Sequence, residues 1–104
     1  MHKVYWTGIC SNERLTAISD ISARLCRYGS ILQFQKFSDL VLSLVVEVET
    51  GKLNFLHEDL GPLLNIEGFK SEDAAYTGEV ILFLNITFAK GTGDLEFEIP
   101  DIPK

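Results

Sequence analysis

Hydrophobic residues follow two different periods in the first part of the chain. Residues 4–9 are β-branched and aromatic, which predicts a first strand. Apolar residues then recur at steps of three and four, at Leu15, Ile18, Ile21 and Leu25. This spacing predicts an amphipathic helix over about 12–28. We expect Ser11 or Asn12 to cap the start of the helix, and Gly29 to end it in a left-handed conformation.

The remaining pattern is mostly that of strands. Alternating apolar and polar residues predict a hairpin of two strands, 31–37 and 40–49. A second helix is predicted by leucines at helical spacing, at Leu53, Leu56 and Leu60. Residues 67–78 show no period and are interpreted as a loop. The apolar run 79–88 predicts a fourth strand, and 94–100 predicts a fifth after a glycine-rich turn.

This order of elements predicts one α+β domain spanning residues 1–104. The economical arrangement is a ferredoxin-like βαββαβ antiparallel sheet with two helices on one face, plus a C-terminal hairpin strand. The core is expected where the helical and strand periods agree on one face. Those positions are Leu15, Ile18, Leu25, Leu32, Phe34, Leu42, Leu44, Val46, Leu56, Leu60, Leu82 and Leu84.

Composition narrows the class of protein. The chain has 104 residues, enough for one domain, and a net charge of −6. An acidic domain repels phosphate backbones, so nucleic-acid binding is not expected. The sequence shows no signal peptide and no long apolar run, and it has two cysteines. We therefore expect a cytoplasmic protein that does not insert into a membrane.

Three segments together resemble an ACT domain, most closely the N-terminal regulatory type attached to phosphoserine phosphatases. These segments are 4–8 leading into a helix, 28–35, and 40–48, and the similarity extends over about residues 3–66. ACT domains are non-catalytic ferredoxin-like modules that commonly pair edge to edge. They bind amino acids at the turn between strand 1 and helix 1. The resemblance therefore implies a regulatory domain that binds a small ligand, an amino acid, at this turn.

The residues that the resemblance assigns to ligand binding lie in and beside that turn. They are Gly8, Ser11, Asn12, Glu13 and Leu15. Gly8 allows close approach, Ser11 or Asn12 can hydrogen-bond the ligand, and Glu13 can pair with its amine. The family usually carries an acidic residue and then Arg-Pro-Gly here, and Arg14 stands in place of the glycine in the best alignment.

Motifs for catalysis are weak. The sequence His57-Glu58-Asp59 contains metal-binding residue types, but adjacent helical residues point about 100° apart and do not converge. Cys10 and Cys26 are predicted to be buried structural thiols, with Cys10 the better candidate for reactivity because it precedes a helix. We therefore expect no enzyme activity, no metal and no cofactor.

A second function remains open beside the small-ligand sensor. Residues 37–104 carry thirteen acidic residues against four lysines, whereas 1–36 carry two acidic residues against five Lys and Arg. Four of the acidic residues fall on predicted strands, namely Glu47, Glu49, Glu96 and Glu98. Such a chain is typical of an acidic protein-binding module, for example an immunity protein that neutralises a basic toxin.

The strand pattern also predicts a homodimer. The run 80–84 is apolar on both faces, and Val41 and Val45 repeat this feature on the preceding strand. Exposed apolar patches of this kind usually mark interfaces, and a two-fold pairing of sheets would bury them.

Overall fold

The computed structural model describes residues 2–70, 73, 75 and 77–89. Five strands, two α-helices and one short 3₁₀ helix follow one another along these residues. In chain order they are β1 (His2–Cys10), α1 (Arg14–Tyr28), β2 (Gly29–Lys36), β3 (Val41–Glu49), the 3₁₀ helix (Thr50–Lys52), α2 (Leu53–Leu60), β4 (Asn65–Glu67) and β5 (Glu79–Phe88). The coarse prediction of an α+β domain with two helices is confirmed.

The sheet is mixed, with the strand order β2-β3-β5-β1-β4. β1 and β5 run parallel, whereas the other neighbouring pairs are antiparallel. The prediction of a wholly antiparallel sheet was therefore wrong, and the ferredoxin-like order is not confirmed. The reason is that β5 pairs with both β1 and β3, while the unpredicted short strand β4 takes the edge beside β1. The predicted strand 94–100 lies outside the described residues.

The core lies between the two helices and one face of the sheet. Alternate residues of the central strands are buried, as are Ala17, Ile21 and Leu25 of α1 and three leucines of α2. Most predicted core positions are confirmed, including Leu44 and Leu82. The sheet face that points away from the helices is named the open face here, and no helix in the described part of the chain covers it. None of the described helices has the length and apolar character that a membrane crossing requires.

The first helix is rotated relative to the prediction. Arg14, Ala17, Ile21 and Leu25 form its buried side, whereas Leu15 is 63% exposed and Ile18 is only partly buried. Leu15 was therefore wrongly assigned to the core. Two series of residues fit a spacing of three and four, one that starts at Leu15 and one that starts at Arg14. The second series was overlooked because a charged residue was not considered for burial.

Both ends of α1 also differ from the prediction. Its N-cap is Glu13 rather than Ser11 or Asn12. Gly29 is extended, with φ −164°, and is not a left-handed cap. Gly29 instead opens β2 beside β3, where a Cβ would overlap the carbonyl oxygen of Glu47. Glycine is therefore needed at position 29 because β2 and β3 approach each other closely there, and not because the backbone has a positive φ.

β2 forms an edge of the sheet, and this position explains two further corrections. Leu32 lies at a bulge between Ile31 and Gln33 and is exposed. Phe34 faces the helix side, in register with Leu44, yet it is 49% exposed. Leu32 and Phe34 were both predicted to lie in the core, and both predictions were wrong. The helix layer does not cover the outer end of this edge strand.

Candidate functional site

The predicted ligand turn opens onto a cleft, named the turn cleft here, of about 270 Å³. The cleft lies between the end of β1 and the segment that follows α2. It is lined by Ile9, Ser11, Asn12, Gly61, Pro62, Leu63, Leu64 and Asn65. Two of the five predicted ligand residues, Ser11 and Asn12, therefore lie on the wall of a cavity large enough for a small amino acid.

Glu13 occupies the hydrogen-bond donors at the start of α1. Its carboxylate accepts hydrogen bonds from the backbone N–H of Leu15 at 2.9 Å, and from the backbone N–H and hydroxyl of Thr16 at 3.0 Å. The bonds from Leu15 and then Thr16 lower the pKa of the Glu13 carboxyl below its ordinary value. Free N–H groups at the start of a helix can receive a ligand carboxylate, but here they already hold a carboxylate of the chain itself.

The other predicted residues lie outside the turn cleft. Gly8 is buried on the helix side of β1, where a Cβ would come within 3.3 Å of the Leu64 side chain. Leu15 points to solvent from the first turn of α1. Arg14, which replaces the family glycine, is buried with an exposed fraction of 8%.

A second cleft, named the acidic cleft here, lies at the opposite end of the strands. Its volume is about 310 Å³, and its wall contains Cys26, Arg27, Tyr28, Gly29, Ser30, Glu47, Glu49, Lys52 and Glu79. Two of its cations are already paired, Lys52 with Glu49 at 3.4 Å and Arg27 with Asp59 at 3.2 Å. Glu47 and Glu79 take no part in any ion pair among the described residues.

Glu47 and Glu79 are diagonal neighbours on adjacent strands, because Glu47 is in register with Ile81 and Glu79 with Glu49. The charge of Glu47, followed by its hydrogen bond, raises the pKa of the Glu79 carboxyl above its ordinary value, and the charge of Glu49 adds to this. Glu49 and Glu79 are cross-strand partners at the ends of β3 and β5. Like charges placed opposite each other destabilise a sheet, so this arrangement opposes folding at neutral pH.

An apolar row crosses the open face, two residues along β3 from Glu47 and four residues along β5 from Glu79. The register aligns Val45, Phe83 and Tyr5 on neighbouring strands. The rings of Tyr5 and Phe83 stack with centroids 4.9 Å apart, and Tyr5 is 62% exposed. The next row is polar, and in it the Ser43 hydroxyl bonds to the side-chain oxygen of Asn85 at 2.7 Å. An exposed aromatic pair beside unpaired charge has the composition of a protein interface.

The residue types associated with catalysis are placed apart. The half-buried His57 stacks on Phe69, with centroids 4.2 Å apart, and Trp6 meets both rings edge-on. Cys10 is buried as predicted, but Cys26 is exposed, which corrects its assignment as a buried thiol. In the residues that the structure describes, no three His, Cys, Asp or Glu side chains form a group that could hold a metal ion.

The interaction of Glu79 with Glu47 was missed from the sequence. Glu47 was assigned to the polar side of its strand, and Glu79 was placed at the start of the next long strand. Their contact depends on β5 pairing antiparallel with β3, which the hydrophobic pattern does not specify. Of the acidic residues predicted to form a binding surface, Glu96 and Glu98 lie outside the described residues.

Comparison with known proteins finds no matching family model, no similar curated protein and no similar solved structure. The arguments about function therefore rest on the two clefts and the open face.

Proposed function

We propose that the chain is a non-catalytic binding domain whose partner is a basic protein. The observation that carries this proposal is the Glu47 and Glu79 pair, which no ion pair neutralises among the described residues. An arrangement that costs stability and is not compensated within the chain is expected at functional sites. A Lys or Arg side chain from a partner would enter the acidic cleft and remove the repulsion.

The surroundings of the cleft support a protein rather than a small cation as the partner. The row of Val45, Phe83 and Tyr5 provides apolar contact area beside the carboxylates. Aromatic residues supply much of the binding energy of interfaces, whereas surface charges set the orientation and the rate of association. An immunity protein that neutralises the cationic active site of a basic toxin is one protein of this class.

The test compares charge removal inside and outside the acidic cleft. The double variant Glu47→Gln, Glu79→Gln and the control Glu58→Gln, Glu67→Gln each remove two negative charges. Basic proteins captured by the immobilised chain are identified, and their affinity for each form is measured at two salt concentrations. We expect the cleft variant to bind at least tenfold more weakly, which is about 1.4 kcal/mol, and the control to bind like the original chain. Equal binding by both variants contradicts the proposal.

A small-ligand sensor is the second candidate function, and the turn cleft favours it. Ser11 and Asn12, assigned through the resemblance to ACT domains, line this cleft together with Asn65. These three side chains offer hydroxyl and amide groups to a polar ligand. Because Glu13 already occupies the N-terminal donors of α1, an amino acid would bind through these groups and not at the helix terminus.

A thermal-shift screen against the twenty amino acids, followed by calorimetry, tests this second candidate. Asn12→Ala is expected to lose affinity, whereas Asn54→Ala, an exposed amide outside the turn cleft, is expected to keep it. If no amino acid shifts the melting temperature, the sensor function is rejected and the basic partner remains.

A further inference from the structure

Arg14 is the buried charge that neither proposed function uses. The whole residue is 8% exposed and its side chain 10% exposed, and its Nε has no hydrogen-bond partner among the described residues. Its one ion pair within the described residues is long, with 4.0 Å between Nη2 and Oδ1 of Asp39. Buried guanidinium groups are normally paired and hydrogen-bonded, because an unpaired buried charge is costly. The Nε atom itself is enclosed, so the Nη nitrogens are the donors that an acceptor from outside the described residues can reach.

The β2–β3 hairpin, whose Asp39 lies 4.0 Å from Arg14, exposes apolar side chains at its tip. Phe37 is 63% exposed and Leu40 is 42% exposed. Phe34 lies on the same side of the sheet as Arg14, since it pairs with the buried Leu44. The hairpin surface is defined here as Arg14, Phe34, Phe37, Asp39 and Leu40.

Charge and backbone geometry indicate what this surface binds. Lys36 lies on the helix side at the same end of β2, in register with Leu42. Two acidic residues, Glu13 and Asp39, lie near Arg14 in a chain of net charge −6. The Glu13 carboxylate already accepts the N–H groups at the start of α1, so Asp39 is the described acidic residue left to pair with the two cations. β2 is an edge strand, and its outer backbone groups have no strand partner among the described residues. An edge strand of this kind accepts an extended peptide by main-chain hydrogen bonds.

We propose that the hairpin surface binds an extended segment of a partner protein in which a carboxylate side chain stands between apolar side chains. The carboxylate accepts charge-assisted hydrogen bonds from Arg14. Because side chains alternate along an extended segment, the apolar residue two positions away shares the face of the carboxylate and covers Phe34, whereas the adjacent apolar residues point to the other face and contact Phe37. This surface lies at the opposite end of β3 from the acidic cleft, so the proposal is independent of the basic partner.

The probe is the blocked peptide acetyl-Ala-Leu-Glu-Phe-Leu-Ala-amide, with a matched peptide that carries Gln in place of Glu. Peptide affinity is measured by fluorescence anisotropy, and the Nε–H signal of Arg14 is followed by NMR. We expect the Glu peptide to bind at least tenfold more tightly than the Gln peptide and to move the Arg14 signal. Arg14→Met, which keeps the apolar stem, is expected to abolish the preference for Glu. Lys70→Met, which removes an exposed cation outside both clefts, is expected to leave the preference unchanged.

Where circular dichroism shows that Arg14→Met is unfolded, Phe37→Ser replaces it, with an expected loss of binding of both peptides. Equal affinity for the two peptides, no binding of the Glu peptide at millimolar concentration, or an unmoved Arg14 signal overturns the proposal. Displacement of the peptide by an equal concentration of inorganic phosphate also overturns it, because the site would then be a general anion site.

Discussion

Arg24 and Asp59 join the two helices through a pair of hydrogen bonds from one guanidinium nitrogen. Nη1 of Arg24 donates to Oδ1 of Asp59 at 3.1 Å and to the backbone oxygen of Asp59 at 2.6 Å. Oδ2 of Asp59 also accepts from Arg27 and from the Tyr28 hydroxyl, each at 3.2 Å. One carboxylate of α2 therefore connects three side chains at the end of α1.

Asp59→Asn is expected to lower the free energy of unfolding by about 1–3 kcal/mol, because hydrogen bonds to charged groups at a partly buried site are lost. Urea denaturation measures this loss. Asp20→Asn, on the exposed side of α1, is the control and is expected to change stability by less than about 0.5 kcal/mol. A change at Asp59 no larger than that of the control would show that packing alone holds the helices together.

Leu44→Ala is expected to lower the free energy of unfolding by about 2–5 kcal/mol, since it leaves a cavity at a fully buried position of a central strand. Gln35→Ala, on the exposed edge strand, is expected to cost less than about 0.5 kcal/mol. Comparison of the two denaturant midpoints checks the face assigned to β3, and equal midpoints would refute that assignment.

Glu79→Gln is expected to raise the melting temperature at pH 7. The pKa of Glu79 is raised in the folded protein by Glu47, so its contribution to stability is present below the ordinary glutamate pKa and is lost as pH rises through the folded value. The gain in melting temperature of the variant should therefore disappear on acidification below about pH 4, where the Glu79 carboxyl of the original chain is protonated in both the folded and the unfolded protein. Melting curves over pH 3–8 measure this, with Glu58→Gln as the control, and a gain that does not depend on pH would contradict the charge repulsion.

A homodimer through the open face stays a prediction from the sequence. Val41, Val45, Ile81 and Phe83, which motivated it, are only partly buried on this face. We expect sedimentation to show a dimer at high micromolar concentration, and Phe83→Ser to shift it to monomer. Phe55→Ser, which removes an exposed aromatic ring from α2, is expected to leave the dimer intact. A monomer at all concentrations removes the prediction, and the face is then free for a basic partner.

Local pattern was sufficient for both α-helices and for four of the five described strands, but not for the short strand β4. The inward alternation of β3, the leucines of α2 and the apolar run of β5 were all predicted from the sequence. Each of these patterns is formed by residues of a single helix or strand, so the spacing of apolar residues is enough to predict the element. Ser11 and Asn12 were assigned through the resemblance to ACT domains, and the structure shows only that they line the turn cleft.

Tertiary structure decided which strands are neighbours and therefore which charges meet. The pairing of β5 with both β1 and β3 depends on contacts between residues far apart in the chain, which no local period encodes. That pairing brings Glu79 to Glu47, leaves β2 as an edge that exposes Phe34, and sets Arg14 against the hairpin. Binding surfaces are made by such non-local contacts, so only the folded chain reveals the acidic cleft and the hairpin surface.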